Sequence, residues 1–382
     1  MAKRKVFKTT RKDGRFVSTA GFLHHSLKRL KPELAFNPAF RRDQFLAWRK
    51  SVRRKLRELL ALPRAISQPK PRKVSERQRD GYVLQRWEIY PEPRCVVPVL
   101  LLVPDKASKA APAPAVLCLP GTDHRKEVLA GEEGMGPVFK NTWGDCQQMA
   151  KHFARHRCVA LAMDNPSTAE LFDPVDPGWC RQSHQLIWMG RSYEGLSVFQ
   201  KLAALDWLKT LPFVDGRRIA ACGHSLGAKP ALHLGILEPV VRAVVWNDNA
   251  ADWRVREVVR NLAPVAPWHY IPGFVRWFDY IDLMAALAPK PLLVSEGGRG
   301  EDLQRIRAAY RIAGAPDHFK VTYMPNFADP AKRKYDGKKI PEGVDSDTYI
   351  RYTHCDGAHY FKADVAVPWL CHVFGMECPS QA

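Results

Sequence analysis

The 382-residue sequence lacks the features that define several large classes of protein. No uninterrupted apolar run approaches the ~18 residues that suggest a membrane-spanning helix, so we predict no such helix. The sequence contains no Gly-Lys-Ser/Thr, no Gly-x-Gly-x-x-Gly after a strand and no His-Glu-x-x-His. These are the marks of phosphate loops, dinucleotide sites and zinc proteases. Their absence predicts a protein that uses neither a cofactor nor a metal ion.

Ordered cysteine spacing is also missing. The nine cysteines are scattered, and no two of them form a Cys-x-x-Cys pair. Neither a zinc site nor a disulfide framework is therefore indicated, and reduced thiols are typical of cytosolic proteins. The basic N-terminus is not followed by the apolar segment of a signal peptide. The sequence favours a cytoplasmic location.

Acidic residues are scarce in only one part of the chain. Residues 1–79 hold 24 lysines and arginines against five acidic residues, whereas the other 303 residues contribute only +1 to the net charge of +20. Basic segments can bind nucleic acid by neutralising phosphates, but the ordinary charge of the remaining chain argues against that as the main role. Residues 1–40 combine high charge with few apolar residues, which predicts disorder over much of this arm.

One stretch carries a chemical signal. Gly223-His-Ser225-Leu-Gly227 follows an apolar run and precedes apolar residues at helical spacing. This is the nucleophile elbow, a sharp strand-to-helix turn that exposes a serine. Glycines on either side leave room where a β-carbon would collide with the adjoining strand or helix. We predict that Ser225 is a nucleophile; the alternative is a tight turn whose serine only caps the helix.

Strand-like and helix-like segments alternate after residue 80. The predicted strands are residues 82–90, 96–103, 115–119, 158–163, 240–246, 291–295, 319–323 and the run before the elbow; the predicted helices are 149–155, 193–208, 303–313 and 363–374. This alternation is typical of a mostly parallel sheet covered by helices. We predict an α/β fold of the α/β-hydrolase type over residues 80–379.

The preceding 79 residues are predicted to form a basic N-terminal helical extension. Apolar residues recur at three- and four-residue steps from Phe45 to Leu60, which indicates an amphipathic helix over about residues 42–61. Pro63 lies just beyond its end, as is common after helices. Residues 63–79 hold three prolines and many charges and are predicted to be a linker.

A serine nucleophile needs a base and an orienting acid, which α/β hydrolases supply in the order serine, acid, histidine. His359 precedes an aromatic pair and an apolar helical stretch that would anchor its loop, so we predict His359 rather than His354 as the base. If the pKa of this histidine is ordinary, activity should fall as the pH drops below an apparent pKa of about 6–7.

Three carboxylates compete for the role of the acid. Asp302 is ranked first because it lies deep in the loop after the strand 291–295, although it could instead cap the following helix. Asp248 follows the preceding strand, and Glu296 stands at a strand end where it is expected to turn inward least easily. For the oxyanion hole we predict the amides of Leu226 and Thr122.

Several further motifs resemble one branch of this fold. They are Trp246-Asn247-Asp248, Leu287-Ala-Pro-Lys-Pro-Leu292, Ser295-Glu-Gly-Gly298 and Ala358-His-Tyr-Phe-Lys362. Together with the elbow they make residues 45–373 similar to the acetyl-xylan-esterase-like, dienelactone-hydrolase-related α/β hydrolases. The resemblance implies a cofactor-free esterase acting on acetyl and other short esters, often on carbohydrates. Such relatives commonly have aspartate where this chain has Gly300, and the first 40 residues have no recognised counterpart.

The sequence therefore predicts a serine ester hydrolase that acts on a small-molecule or carbohydrate ester. Two alternatives stay open: a peptidase or lipase of the same fold, and a non-catalytic binding protein that uses its basic arm. The acyl and alcohol groups depend on the shape of a pocket, and the sequence names neither. It does not indicate an oligomeric state.

Overall fold

A single mixed sheet dominates the computed structural model, which describes residues 7–63, 69–122, 125–132, 147–172, 179–263, 265–355 and 359–377. Its strands are β1 (Arg72–Arg79), β2 (Tyr82–Ile89), β3 (Val97–Pro104), β4 (Ala113–Leu119), β5 (Val159–Met163), β6 (Val214–His224), β7 (Val241–Asn247), β8 (Leu292–Val294) and β9 (Phe319–Val321). Within the described residues the strand order is β1-β2-β3-β5-β4-β6-β7-β8-β9. Strands β4 to β9 run parallel, and β1, β2 and β3 add on antiparallel.

Helices cover both faces of this sheet. They are α1 (Thr19–Arg29), α2 (Arg42–Leu59), α3 (Lys126–Ala130), α4 (Met149–Arg155), α5 (Trp179–Trp188), α6 (Tyr193–Leu208), α7 (Ala228–Leu237), α8 (Trp253–Val259), α9 (Phe274–Trp277), α10 (Tyr280–Leu287), α11 (Gly300–Ile312), α12 (Pro325–Ala328), α13 (Ser346–Tyr352) and α14 (Ala363–Val373). None of the helices in these described ranges is both long and apolar enough to span a bilayer.

The central strand β4 shows how the two layers are specified. Every residue of β4 is buried. Ala115, Leu117 and Leu119 pack into the core with α2, α6, α7, α10 and α11. Val116 and Cys118 point to the other face and pack with α4 and α14. Because successive side chains of a strand alternate in direction, a continuous apolar run supplies both cores, as expected for a parallel strand covered on two faces.

The N-terminal extension is more ordered than the sequence predicts. The amphipathic helix is confirmed as α2, and its apolar stripe, Phe45, Trp48, Val52 and Leu56, is buried. The expectation of disorder over residues 1–40 is wrong for α1. That helix is capped by Ser18, and its His24 Nε2 lies 2.8 Å from Val258 O in α8. Since α1 docks through a narrow face, it needs few apolar residues and gives a weak sequence signal.

The predicted linker is also wrong over residues 72–79, which form the edge strand β1. Its backbone pairs with β2, while seven of its eight side chains are exposed. Charged side chains are suited to an exposed edge because they discourage pairing with other chains. The apolar alternation that marks a half-buried strand is therefore absent. The sheet begins before the predicted boundary at residue 80, and the division into two domains stays a prediction.

Candidate active site

The serine lies at a strained turn between β6 and α7. Ser225 has φ +52° and opens a single turn of 3₁₀ helix, Ser225–Gly227, that leads into α7. A β-carbon on Gly223 would lie 2.0 Å from the carbonyl oxygen of Gly227, and one on Gly227 would lie 2.3 Å from that of Leu119. No side chain fits such gaps. Both glycines are therefore required by close backbone contact, and a left-handed serine is the kind of strain that gathers at functional sites.

His359 lies beside this turn and is held by Glu296. His359 Nδ1 is 2.7 Å from Glu296 Oε2. The ring of His359 is 4.5 Å, centroid to centroid, from the ring of His224, the residue before the serine. The Glu296 side chain is fully buried, whereas 38% of the His359 side chain is exposed. The pair thus has a buried carboxylate behind a partly exposed imidazole that lies next to the elbow.

The surroundings of His359 set its charge. Burial lowers the pKa of His359, but the hydrogen bond and charge of Glu296, together with the charge of Asp248, outweigh it and raise the pKa to about 9. The ordinary value of 6–7 expected from the sequence does not include these carboxylates. The site therefore stabilises the imidazolium, and only the minor neutral form of His359 can accept a proton at neutral pH.

Glu296 is oriented by a polar network at the ends of β7 and β8. Its Oε1 accepts hydrogen bonds from Asn247 Nδ2 at 3.1 Å and from Lys362 Nζ at 3.3 Å. Asn247 Oδ1 in turn accepts from the Lys362 backbone at 2.9 Å and from Ser295 Oγ at 2.8 Å. One asparagine therefore ties together β7, β8 and the loop that carries His359. Sequence reasoning missed Asn247 and Lys362 as site residues, although both stand in the motifs that carried the resemblance.

The structure places Asp302, the first-ranked acid, in contacts other than one with His359. Asp302 lies in the first turn of α11, where Oδ2 accepts from the Asp252 backbone at 3.4 Å and is 3.9 Å from the Arg299 guanidinium. Burial, assisted by the charge of Asp252, raises the pKa of Asp302 to about 6 against the charge of Arg299. His359 Nδ1 donates to Glu296 instead, because the backbone turns sharply at the two glycines that follow Glu296.

Asp248, another acid candidate, and His354, the other base candidate, make contacts of their own. Asp248 is half-buried, accepts a hydrogen bond from the Asn249 backbone at 2.6 Å, and acts on His359 through its charge. His354 is fully buried, and its Nδ1 lies 3.4 Å from Asp336 Oδ1, so it serves a different contact. This placement favours His359 over His354, and the catalytic roles of all these residues stay predictions.

The loop expected to carry the second oxyanion amide is clamped at both ends. Asn165 Nδ2 donates to the carbonyl oxygens of Pro120 at 3.0 Å and Gly121 at 3.2 Å. Asp164 accepts from the Lys126 backbone at 2.7 Å and from its ammonium at 2.8 Å. Thr122 lies between these clamps, while residues 123 and 124 lie outside the described residues. Both clamp residues close β5, a position that sequence reasoning noted only as the end of a strand.

One group of donors in the described chain has the composition of a metal site. Donor atoms of His224, Glu296 and His359 all lie within 4.8 Å of one another. One oxygen of this carboxylate already bonds His359, and the other accepts from Asn247 and from the cationic Lys362. A metal could be held only by breaking the histidine–carboxylate bond beside a competing ammonium. The donors therefore fit a hydrogen-bonded histidine–carboxylate pair better than a metal site.

A strained serine between a parallel strand and a helix, with a histidine–carboxylate pair at the same sheet edge, defines the protein as an α/β hydrolase. More narrowly, the chain belongs to the Abhydrolase family, whose model matches residues 1–372. This match includes the first 40 residues, for which the sequence analysis recognised no counterpart.

Solved structures agree with this classification. The crystal structure of a "putative acetyl xylan esterase" from Bacteroides fragilis NCTC 9343 is 35% identical with a TM-score of 0.91, and the match covers 97% of this chain and 98% of that one. A glucuronoyl esterase from Solibacter usitatus is 15% identical with a TM-score of 0.54 over 85% of this chain and 96% of that one, which supports the fold. The predicted fold and the predicted resemblance to acetyl-xylan-esterase-like hydrolases are confirmed.

A curated relative gives a partial match. The Bacillus subtilis (strain 168) protein named "Putative hydrolase YtaP" is 24% identical over 146 residues, or 36% of this chain. The match spans about half of that relative, 49% of its length. It agrees with the assignment to hydrolases.

Proposed function

We propose that the protein is a serine ester hydrolase that cleaves short-chain, acetyl-type carboxylic esters through an acyl-enzyme on Ser225. His359 is the general base, and Glu296, not Asp302, is the orienting acid. The observation that carries the proposal is the 2.7 Å contact between His359 Nδ1 and Glu296 Oε2 beside a serine at φ +52°. Nucleophile, base and orienter in that order are the arrangement that activates a serine hydroxyl.

The chemistry follows from the charges of this site. Ser225 Oγ attacks the ester carbonyl carbon while His359 Nε2 takes its proton, so the imidazole becomes an imidazolium. Glu296 and Asp248 stabilise that cation, as the raised pKa of His359 indicates. The oxyanion accepts hydrogen bonds from the amides of Leu226 and Thr122. The imidazolium then protonates the departing alkoxide, and water, deprotonated by the same histidine, releases the carboxylic acid and restores Ser225.

The relatives suggest the substrate class. The Bacteroides fragilis protein carries the description of an acetyl xylan esterase, and it matches this chain over nearly its whole length. We extend that description to this chain as the proposal that its substrates are acetyl esters of small molecules or carbohydrates. A cytoplasmic location and the absence of a cofactor stay predictions.

The proposal is tested with purified protein and 4-nitrophenyl acetate. We expect turnover that Ser225→Ala lowers by ~10³-fold or more, and stoichiometric labelling of Ser225 by a serine-directed phosphonate, located by mass spectrometry. Ser192, which caps α6 through the backbone of Gly195, gives the control variant Ser192→Ala, in which labelling should persist. Label on another serine, or full activity in Ser225→Ala, contradicts the mechanism. If the protein neither hydrolyses esters nor takes the label, the result favours the alternative of a non-catalytic binding protein.

A further inference from the structure

A buried lysine lies one helical turn beyond the nucleophile. Lys229 is four residues after Ser225 on α7, and 3% of it is exposed. Its Nζ lies 3.5 Å from the centroid of the Trp253 ring and 2.8 Å from His269 Nδ1. Both partners belong to the segment between β7 and β8, which folds over the carboxyl edge of the sheet. Lysines are almost never fully buried unless they are paired, so this one calls for a physical reason.

The described chain does not fully satisfy the Lys229 ammonium. An ammonium has three hydrogen-bond donors, and within the described residues only His269 Nδ1 accepts from Nζ. Burial is the largest influence and lowers the pKa of Lys229 to about 7, even though neighbouring carboxylates oppose it. The charges that act on it without a hydrogen bond are Glu194, Asp248, Asp279 and Arg256. A buried donor without an acceptor lowers the stability of the fold, so a ligand oxygen that accepts from Nζ would bind favourably at this position.

The partner of Lys229 turns a second donor outward. Burial, and then the charges of Lys229 and Arg256, hold the pKa of His269 well below its usual range, so the imidazole is neutral. Because Nδ1 accepts from the ammonium, the ring hydrogen is on Nε2. Both His269 and Trp253 are half-buried, so this side of the cluster borders solvent. The cluster therefore has an ammonium and an imidazole N–H as donors for an incoming molecule. They lie beside the half-buried Trp253 indole, whose ring is also 5.0 Å from the Arg256 guanidinium.

The cluster and the catalytic pair share one neighbour. The negative charge of Asp248 favours the protonated form of both Lys229 and His359. Lys229 also stands four residues after Ser225, in the first turn of the helix into which the serine turn leads. Four residues span at most ~14 Å of chain, so an acidic group on a molecule whose ester lies at Ser225 is close enough to reach the ammonium.

We propose that Lys229, His269 and Trp253 form a subsite for a carboxylate carried by the ester substrate. The ammonium and the imidazole N–H bind the two carboxylate oxygens, and the indole packs against the adjoining apolar atoms. Two single donors match the two oxygens of a carboxylate, whereas a phosphate monoester presents three strong acceptor oxygens. The nearby Arg256, which could supply further donors, is paired with Glu257 at 2.7 Å. The inference rests on the proposed ester hydrolysis and adds an acidic group to its substrate class.

Two matched pairs of esters test the subsite. The first compares 4-acetoxybenzoate with its methyl ester, which places the charge on the alcohol part. The second compares mono-4-nitrophenyl adipate with its methyl ester, which places the charge on the acyl part. At pH 6.5 we expect the charged member of one pair to have the higher kcat/KM. Lys229→Met should lower that charged-to-neutral ratio by about 10- to 100-fold, the range for a hydrogen bond to a charged group, and Lys229→Arg should lower it less.

Lys290 provides the matched control. It is a second largely buried lysine, whose pKa burial lowers to about 8, but its Nζ donates to the carbonyl oxygens of Gly235 and Glu238 at the far end of α7. Lys290→Met should leave the charged-to-neutral ratio as it is. If Lys229→Met does not fold, as judged by circular dichroism, His269→Leu should lower the same ratio.

Direct binding separates this inference from the proposed catalysis. We expect Ser225→Ala protein to bind 4-hydroxybenzoate or adipate in calorimetric titrations, and the Ser225→Ala/Lys229→Met protein to lose that binding. If neutral esters are hydrolysed but no carboxylate is preferred or bound through Lys229, the subsite is refuted while the esterase stands. If no ester is hydrolysed but Lys229-dependent binding persists, the subsite stands and the esterase assignment fails.

Discussion

Replacing Glu296 with glutamine tests the histidine–carboxylate pair most directly. The change keeps the size of the side chain and removes the charge that, with Asp248, raises the pKa of His359 from 6.5 to about 9. A complete return to 6.5 would remove about 3 kcal/mol of imidazolium stabilisation, at about 1.4 kcal/mol per tenfold change in the protonation equilibrium. That figure is an upper bound, because 38% of the His359 side chain is exposed and solvent screens part of the interaction.

The remaining charge of Asp248 also limits the change. We therefore expect the pKa of His359 to fall to about 7–8 in Glu296→Gln, a loss of about 1.5–2 kcal/mol after screening. Near pH 10, where the base is mostly neutral in both proteins, this loss corresponds to a kcat/KM about 10- to 30-fold lower. The gap should narrow on acidification, because a less basic histidine is a weaker base but is neutral more often.

The assay is the pH dependence of kcat/KM for 4-nitrophenyl acetate between pH 5 and 10. In the wild-type protein activity should rise with pH through an apparent pKa near 9, and in Glu296→Gln the midpoint should move down by one unit or more. Asp302→Asn is the matched control, since Asp302 bonds to Asp252 and Arg299 rather than to His359. An unchanged midpoint in Glu296→Gln, or a shifted one in Asp302→Asn, would refute the assignment of the acid.

Three further predictions concern stability and the oxyanion loop. Gly227→Ala should lower the free energy of unfolding by more than about 3 kcal/mol, because the new β-carbon would meet Leu119 O at 2.3 Å, whereas Gly216→Ala, with nothing within 4 Å, is the control in denaturant titrations. Asn165→Ala should lower kcat by ~10- to 100-fold with little change in KM, because Asn165 holds the loop that carries the predicted oxyanion amide. Thr168→Val, which loses a hydrogen bond to Asn165 O in the same turn, should leave kcat unchanged. Equal effects of the two substitutions would contradict a positioning role for Asn165. His359→Gln should lower the melting temperature most below pH 6.5 and least above pH 9. The raised pKa of His359 stabilises the fold at low pH, and that contribution is lost as the pH rises through about 9. A difference in melting temperature that grows with pH would contradict this prediction.

The parts of the fold that were predicted correctly are those with a strong local signal. Helix α6 was predicted with its observed bounds, Tyr193–Leu208, and α4 likewise, because apolar residues repeat along them at helical steps. Buried parallel strands such as β5 are continuous apolar runs, which are easily recognised. Strand β1 has no such run, because its position is set by backbone pairing alone. Local pattern thus predicts the layers and misses the edge.

The site divides in the same way, and the acid shows why. The elbow is a local motif, because its two glycines are required by contacts within about four residues and with one neighbouring strand. The acid is selected by a contact across 63 residues, from His359 to Glu296. From sequence, Asp302 was favoured because it lies deep in the loop after the strand. In the structure, Gly297 at φ +71° and Gly298 at φ +157° reverse the backbone directly after Glu296.

Those two glycines are the signal that could have decided the question from sequence. A β-carbon on Gly298 would lie 2.6 Å from Ala250 O, so the loop after β8 passes tightly against the loop after β7. The chain then enters α11 at Gly300, which brings Asp302 to the backbone of Asp252 rather than to His359. Because a paired glycine after a strand predicts an immediate reversal, the carboxylate before the pair stays at the sheet edge, where the histidine loop arrives. Glu296 reaches His359 for this reason, and the residue six positions later does not.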